Sequence, residues 1–258
     1  MSWDPSVYLK FGDERTRPAA DLLARVTLRA PKRVIDVGCG PGNSTALLAA
    51  RYPDADLAGL DSSADMLREA SASGVKARWI EASFDTWAPD APYDLIYANA
   101  AFQWSDDPIA LTQRLFQSLP SNGALAFQVP QNFDQASHVE VRAAVDDSPA
   151  RAKLIGARQY DPGFAKAADY AHALAPLGAA LDIWTTEYLH FLSGDDPVFR
   201  WMSGTGLRPF SQRLEGEERT QFEAAVRARL RKAYPPEPDG RTLFPFKRLF
   251  VIATKAQA

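Results

Sequence analysis

Three glycines and two aspartates are the residues most suited to chemistry in the segment "RVIDVGCGPGNSTALLAARYPDADLAGLDSS". Gly38, Gly40 and Gly42 have no side chains, so a ligand can approach the backbone closely, and glycine tolerates the unusual dihedral angles of a tight loop. Asp36 precedes the glycines and Asp61 ends the next apolar run. A bare backbone flanked by two carboxylates predicts a ligand-binding loop.

The spacing of these residues disfavours a phosphate ligand. A dinucleotide loop would read Gly-x-Gly-x-x-Gly and a P-loop would contain Gly-Lys-Ser/Thr, whereas this segment reads G-C-G-P-G-N and Pro41 interrupts the turn. Asp36 would repel a pyrophosphate but can pair with a cation such as an amino group, and Asp61 can accept both hydroxyls of a ribose. The pattern favours a cationic ligand that contains a nucleoside and no phosphate.

The elements that must position these residues alternate through the first half of the chain. This alternation of apolar runs and helical patterns is typical of βαβ units in a parallel sheet, where ligands bind at the carboxyl ends of the strands. Ser63 is predicted to cap a helix, and Pro108 to begin one that ends near Leu119. Strands are predicted over 33–37, 55–60, 76–80, 93–98 and 124–129, and a further helix over 43–51.

The second half of the chain has mainly helical patterns. Residues 131–180 are helical or irregular, and strand patterns return only in "LDIWTTEYLHFL" and "KRLFVIATKA", with a long helix in "GEERTQFEAAVRARLRKAY" between them. We predict a single domain over 1–258 with an N-terminal helical segment in 1–30. Insertions near 131–160 and 195–235 would form a helical cover over the active site, where substrate selection is expected.

Composition excludes several other classes of protein. The 258 residues have a net charge of -3 and no block of like charges, which disfavours a nucleic-acid partner. No apolar run approaches the roughly 18 residues needed to span a membrane, and the N-terminus lacks the pattern of a secretory signal. Cys39, the single cysteine, cannot form an internal disulfide and is assigned no chemistry. We therefore expect a cytoplasmic protein without a membrane partner.

Two motifs carry a resemblance to a known family. "VIDVGCGPGN" followed by "LAGLDSS", with "YDLIYANAAFQW" further on, resembles motifs I and II of the class I S-adenosylmethionine-dependent methyltransferases. The resemblance implies an α/β fold with a doubly wound, Rossmann-like sheet of seven strands whose last strand is antiparallel. It also implies S-adenosylmethionine as the cofactor, without a metal.

In that family the glycine loop holds the methionine part, the acid after the second strand holds the ribose, and the loop after the third strand meets the adenine. Many members have an acid where this chain has Ser83, so Asp85 or a backbone carbonyl is the alternative partner of the adenine amino group. The glycines and Phe84 also have a purely structural alternative, which is tight packing. The cofactor-binding residues implied are Asp36, Gly38, Gly40, Gly42, Asp61, Ser62, Ser83, Phe84 and Asn99.

One segment near the N-terminus and one late in the chain extend the resemblance to the methyl acceptor. "WDPSVYLKFGDERTRPAADLLARV" and "TGLRPF" resemble the members that esterify one carboxylate of trans-aconitate, a small tricarboxylate, and release S-adenosylhomocysteine. A carboxylate is ionised at neutral pH, so its attack on the sulfonium methyl needs no general base. We therefore predict no catalytic residue: the rate would come from in-line placement of oxygen, carbon and sulfur in a site without water.

Arginine suits a polycarboxylate because its planar fork binds a carboxylate bidentately, although any single arginine is equally well explained as a solvated surface charge. The alternatives in function are a methyltransferase for another acid or for a phenolic or quinone acceptor, a dehydrogenase, which Asn43 disfavours, and a nucleoside-binding module without turnover. The predicted acceptor-binding residues are Tyr8, Arg15, Arg17, Trp104, His138, Trp201 and Arg208.

Overall fold

The computed structural model of the chain describes residues 16–157, 160 and 164–257. These residues form two compact units. The first contains the chain up to Pro130, residues 165–186 and the chain from Arg248, and the second contains residues 131–164 and 187–247. Both predicted insertions fall within the second unit, and the single domain stays a prediction.

Seven strands form one sheet, and their bounds are β1 Arg33–Val37, β2 Asp56–Asp61, β3 Arg78–Glu81, β4 Leu95–Asn99, β5 Ala124–Pro130, β6 Ala179–Leu192 and β7 Thr242–Lys255. Their order is β3-β2-β1-β4-β5-β7-β6. Neighbours among β1 to β5 run parallel, and β7 runs antiparallel to β5. The predicted α/β doubly wound sheet with an antiparallel last strand is confirmed, and the strand order reverses between β1 and β4.

Helices flank the strands where the sequence predicts them. Ser63 accepts a hydrogen bond from the Met66 backbone N–H at 3.4 Å, and Asp107 accepts one from Ala110 at 2.9 Å, so each caps the helix that follows it. Among the described residues, the helices are α1 Arg17–Arg25, α2 Asn43–Arg51, α3 Ala64–Ala72, α4 Pro108–Gln117, α5 Ala136–Asp146, α6 Arg151–Leu154, α7 Ala167–Leu174, α8 Pro197–Ser203, α9 Arg208–Ser211 and α10 Gly216–Ala233.

Strand pairing moves some boundaries by one or two residues from those predicted. β4 begins at Leu95 rather than Tyr93. Just before it, the Asp94 carboxylate accepts the backbone N–H groups of Lys32 and Arg33 at 2.7 and 3.0 Å, while the Asp94 backbone N–H donates to the Arg33 carbonyl at 2.9 Å. The side chain thus adds hydrogen bonds at the start of the strand pair. Helix α1 lies within the N-terminal segment predicted to be helical over 1–30.

Each unit has its own apolar core. In the first, the ring of Phe127 on β5 lies 5.2 Å from that of Phe102 and 5.0 Å from that of Tyr170, which joins the sheet to the turn after β4 and to α7. In the second, Trp201 lies 5.8 and 5.6 Å from Phe244 and Phe246. The continuous burial of β1, β4 and β5 is typical of parallel strands that are covered on both faces.

The loop after β1 packs against the segment after β4 without room for a side chain. Gly38 has a φ of +72°, and a Cβ atom built on it would lie 2.3 Å from the Cβ of Ala101. The backbone N–H groups of Gly38 and Cys39 donate to the carbonyl of Leu60 at 2.7 and 3.0 Å. Both the left-handed backbone and this close approach require glycine at position 38.

Replacing Gly38 with alanine is expected to destabilise the protein beyond the cost of backbone strain alone. Gly74→Ala is the matched control, because Gly74 has a φ of +80° and open space around its Cβ position. The control should lose about 1–2 kcal/mol of unfolding free energy, and Gly38→Ala about 1–3 kcal/mol more because of the overlap. Urea unfolding measures both losses.

A second substitution separates crowding from strain at Gly38. Adding Ala101→Gly removes the atom that the new Cβ would meet, so the double variant should recover the part of the loss that exceeds the control. Equal losses for Gly38→Ala and Gly74→Ala would contradict the close packing of these two loops.

Candidate functional site

The three glycines of the loop after β1 have different roles. Gly42 has a φ of +90°, a left-handed backbone that favours glycine, and a Cβ there would lie 3.3 Å from Trp79 and 3.4 Å from Ala70, which is a tight contact rather than the overlap found at Gly38. Gly40 has a φ of +54°, and a Cβ on it would meet nothing within 4 Å. The packing alternative therefore accounts for Gly38, the backbone conformation favours glycine at Gly42, and Gly40 presents an open backbone.

Asp36 is fully buried beneath this loop. Its Oδ2 accepts hydrogen bonds from the hydroxyls of Ser44 and Thr45, both at 2.7 Å, while its Oδ1 has no hydrogen-bond partner among the described residues. Burial raises the pKa of Asp36 to about 6, and the two hydroxyls oppose this shift. Asp36 thus anchors the first turn of α2 with one oxygen and holds a second, buried oxygen ready for a polar group.

Asp61 joins the loop to the end of β2. Its Oδ2 accepts the backbone N–H of Gly40 at 2.9 Å, and its Oδ1 accepts that of Ser63 at 2.9 Å. The side chain is half-buried, and Ser62 beside it is exposed. Because a carboxylate has about four lone-pair positions, Asp61 can hold the loop and still accept two hydroxyl groups.

The loop after β3 brings Phe84 beside the glycines. Its ring lies 3.9 Å from the Cβ position of Gly38 and meets Phe102 edge-on, with 6.1 Å between ring centroids. Ser83 is exposed, and the Asp85 carboxylate, its alternative, already accepts the hydroxyl of Ser105. Phe84 therefore both packs against the core and borders the candidate site.

Arg114 in α4 holds this loop in place, a role that sequence analysis missed. Its guanidinium donates to the carbonyl of Phe84 at 2.6 Å and to that of Trp87. Arginine on a helix is usually read as a solvent-exposed charge, so only the tertiary contact reveals this function.

The segment after β4 is held in an unusual conformation. Asn99 ends the strand, and Ala100 has a φ of 55°, which is uncommon for a residue with a side chain. The Gln103 side chain donates to the carbonyl of Ala100 at 2.5 Å, and Trp104 is exposed. Strained backbone of this kind clusters at functional sites.

Gln128 and Arg248 complete this edge of the sheet, and sequence analysis missed both. The Gln128 Nε2 donates to Asn99 Oδ1 at 2.6 Å, and Arg248 Nη1 donates to Gln128 Oε1 at 3.1 Å. Both residues are buried. They lie far apart in sequence within apolar strands, and only the antiparallel pairing of β5 with β7 brings them together.

The predicted acceptor residues are divided between the units. Arg17 and Trp104 belong to the first unit, together with all the predicted cofactor residues, whereas His138, Trp201 and Arg208 belong to the second. Tyr8 and Arg15 lie outside the described residues. Arg17 forms an ion pair with Asp21 at 3.8 Å and is mostly exposed, and Arg208 is exposed at the start of α9.

The two ring side chains predicted in the second unit are both buried. His138 Nδ1 lies 3.2 Å from the Ser137 hydroxyl, and burial lowers the pKa of His138 to about 4, so the imidazole is neutral at pH 7. The ring of Trp201 lies 4.9 Å from that of His190. Trp201 therefore contributes to the core of this unit, and His138 offers a neutral hydrogen-bonding group.

The described part of the chain contains neither a cluster of metal-ligating side chains nor a membrane-spanning helix. No group of three or more His, Cys, Asp and Glu residues there has the arrangement of a metal site. Among the described helices, none combines the length and apolar character needed to cross a membrane.

Known proteins with full-length similarity are bacterial methyltransferases. The chain is 47% identical to the trans-aconitate 2-methyltransferase of Rhodopseudomonas palustris (strain BisB18), over 98% of this chain and 99% of the relative. It is 46% identical to the trans-aconitate 2-methyltransferase of Methylobacterium nodulans, over 99% of both chains.

Solved structures support the same fold at low identity. A putative methyltransferase from Bacillus halodurans has a TM-score of 0.60 at 14% identity, covering 93% of this chain and 99% of that one. The plantazolicin methyltransferase BpumL, solved with a desmethylPZN analog and SAH, has a TM-score of 0.54 at 16% identity, covering 98% and 90%.

The family model described as a methyltransferase domain matches residues 11–173, which include the glycine loop and both aspartates. Together with the full-length relatives, this match confirms the family predicted from the motifs. The chain belongs to the methyltransferase family, as do the trans-aconitate 2-methyltransferases that it matches over nearly its whole length.

Proposed function

We propose that this protein transfers a methyl group from S-adenosylmethionine to one carboxylate of trans-aconitate, forming a monomethyl ester and S-adenosylhomocysteine. The observation that carries the proposal is the 45–47% identity to trans-aconitate 2-methyltransferases over nearly the full chain. The acceptor is thus a small polyanion rather than a nucleic acid or a membrane, and a net charge of -3 gives the protein no general attraction to either of these large polyanions. We place the reaction in the cytoplasm.

The first unit supplies the donor site in this proposal. The open backbone at Gly40 admits the methionine part, Asp61 accepts the ribose hydroxyls, and Phe84 covers the adenine together with Ser83. Asp36 supports the assignment because its buried Oδ1 suits an amino group, reached directly or through a water molecule. Gly38, Gly42, Ser62 and Asn99 complete the proposed set.

The proposed mechanism needs no catalytic acid or base. S-adenosylmethionine supplies an electrophilic methyl group on a positively charged sulfur, and the acceptor carboxylate is already ionised. The chain's own task is to hold the two reactants in line and to exclude water. A phenolic acceptor would instead require a base that titrates near neutral pH, whereas the pKa of His138 is lowered to about 4.

The second unit contains both predicted insertions, and we propose that it selects the acceptor. His138 would donate a hydrogen bond from its neutral ring, and Arg208 would supply charge. Arg17 and Trp104 of the first unit stay in the proposed set with Tyr8, Arg15 and Trp201. The exposure of Arg17 and Arg208 leaves each side chain accessible to an anion.

One assay tests the proposed function. The purified protein is incubated with S-adenosylmethionine and a panel of trans-aconitate, other small acids, phenols and quinones, while S-adenosylhomocysteine and product mass are measured. We expect turnover with trans-aconitate and a product heavier by one methylene group. Turnover with phenols alone would overturn the carboxylate acceptor, and nucleoside binding without turnover would indicate a binding module.

Replacing Asp61 with asparagine is expected to weaken S-adenosylmethionine binding by at least about tenfold, because the hydrogen bonds from a ribose would lose their charged acceptor. Titration calorimetry measures the affinity. Asp90→Asn is the control, since Asp90 is an exposed acid that pairs with Arg33 at the amino end of β1, away from the glycine loop. Wild-type affinity in a folded Asp61→Asn protein would disprove the ribose assignment.

The affinity for S-adenosylmethionine is expected to fall as pH decreases from 7 to 5. The pKa of Asp36 is about 6, so the carboxylate that favours a cationic ligand becomes protonated in this range. Asp36→Asn should bind more weakly at pH 7 and show a flatter pH profile, which calorimetry at several pH values measures. A wild-type profile in the variant would remove Asp36 from the donor site.

The unliganded protein should show the linked effect on stability. Because folding raises the pKa of Asp36 from 3.8 to about 6, the native state binds more protons than the unfolded chain between these values. The contribution of Asp36 to stability therefore decreases as pH rises through this window and stays unfavourable above it. Compared with wild type, Asp36→Asn should gain relative stability between pH 4 and pH 7, as thermal unfolding would show.

A further inference from the structure

We propose that Arg248 binds a carboxylate of the methyl acceptor and that Gln128 is its positioning residue. The inference rests on the proposed function, because it assigns a part of the acceptor site of the same reaction. Neither residue belongs to the acceptor set predicted from the sequence.

Asn99, Gln128 and Arg248 lie together at one end of the sheet. Asn99 on β4 pairs in register with Gln128 on β5, and Arg248 on β7 pairs with Pro130 at the end of β5. All of them lie at the carboxyl ends of the parallel strands, which is the edge where ligands bind in open α/β sheets. The glycine loop after β1 lies at the same edge.

Arg248 brings a buried positive charge to this end of the sheet. Arg248 is only 5% exposed, and residues 249–253 that follow it on β7 are buried and apolar. A guanidinium stays protonated in proteins, so Arg248 carries a permanent positive charge although little water reaches it. Charge of this kind acts more strongly than that of the exposed Arg17 and Arg208, because solvent screens surface pairs.

The shape of the Arg248 side chain suits a carboxylate. Its planar fork has five N–H donors, and one of these donates from Nη1 to Gln128 Oε1 at 3.1 Å. A guanidinium can hold several partners at once, so the bond to Gln128 is compatible with donation to a carboxylate in the fork geometry that the acceptor requires. The deletion of a donor to a charged group typically costs about tenfold to a hundredfold in binding.

The direction of the hydrogen bonds explains why Gln128 matters. Arg248 can only donate, so it fixes the oxygen of the Gln128 amide on its own side and the nitrogen on the side of Asn99. That nitrogen donates to Asn99 Oδ1 at 2.6 Å. The Nδ2 group of Asn99 takes no part in these two hydrogen bonds. Gln128 thus orients Arg248 and Asn99 together, although it is itself fully buried.

The test combines variants with acceptors that lack one carboxylate. The variants are Arg248→Gln, Arg248→Lys and Gln128→Leu. Arg33→Gln is the control, because Arg33 lies at the amino end of β1 in the same sheet, where it pairs with Asp90 and Asp56. The acceptors are trans-aconitate and the three dicarboxylates that each lack one of its carboxylates. KM and kcat are measured for each acceptor, and S-adenosylhomocysteine affinity is measured by calorimetry.

We expect Arg248→Gln to raise KM for trans-aconitate by at least about tenfold and to leave S-adenosylhomocysteine affinity within about twofold. For the dicarboxylate that lacks the carboxylate bound by Arg248, the variant and the wild type should have similar KM values. Arg248→Lys keeps the charge and should restore part of the loss. It also decides the question if Arg248→Gln does not fold, which thermal unfolding reveals.

Gln128→Leu tests the positioning role. It should raise KM for trans-aconitate, and its effect should not add to that of Arg248→Gln in the double variant, because both changes act on one contact. Additive effects would show that Gln128 acts independently of Arg248.

Two failures can be told apart. A KM increase of equal size for all four acceptors, or none for any, in an enzyme that methylates trans-aconitate would overturn the role of Arg248 alone. Absence of trans-aconitate turnover in the wild type would overturn the proposed function itself.

Discussion

The attachment of the loop after β1 to the end of β2 is the constraint on which the candidate site depends. Two backbone N–H groups, of Gly38 and Cys39, share the carbonyl of Leu60, and the Asp61 carboxylate accepts the N–H of Gly40. These bonds hold the loop in a left-handed conformation against Ala101. These hydrogen bonds are internal to the protein, so they support the loop conformation without a contribution from a ligand.

Both acids of the opening motif have a structural task as well as a proposed ligand. Asp36 holds the first turn of α2 through Ser44 and Thr45, and its burial without a cationic partner among the described residues keeps its pKa high. Asp61 holds the loop from the other side. A site built in this way combines stability with a carboxylate that gains from a cationic ligand, since the charge is costly in the unliganded state.

The acceptor side follows a different principle from the donor side. The proposed donor residues lie at the ends of β1, β2 and β4 and in the loops after β1, β2 and β3, whereas Arg248, the cation proposed for the acceptor, lies on β7. Hydrogen bonds join Asn99, Gln128 and Arg248 across three neighbouring strands. In our proposal they connect a residue of the donor site, Asn99, to the cation that binds the acceptor. Permanent charge and fixed amides suit a reaction that requires placement rather than proton transfer.

Much of this protein follows from its sequence alone. The strands 33–37 and 124–129 and the helix starts at Asn43, Ser63 and Pro108 were predictable, because apolar runs and helix caps act over a few residues. The glycine loop, the two acids and the family were predictable for the same reason, since the motif is local. Strand ends were less predictable because they depend on pairing with another segment, as at Asp94, whose backbone N–H donates to the Arg33 carbonyl and whose carboxylate accepts the N–H of the same residue.

Only the tertiary structure decided which side chains meet. It distinguished Gly38, which packing requires, from the open Gly40, and it tied Asp85 to Ser105, placed Trp201 in a core, and joined Gln128 to Arg248 across the antiparallel pair. The physical reason is that contacts between residues far apart in sequence depend on strand register, and a register involves two segments at once. A sequence pattern describes one segment at a time, so it specifies the motif but not the partners that surround it.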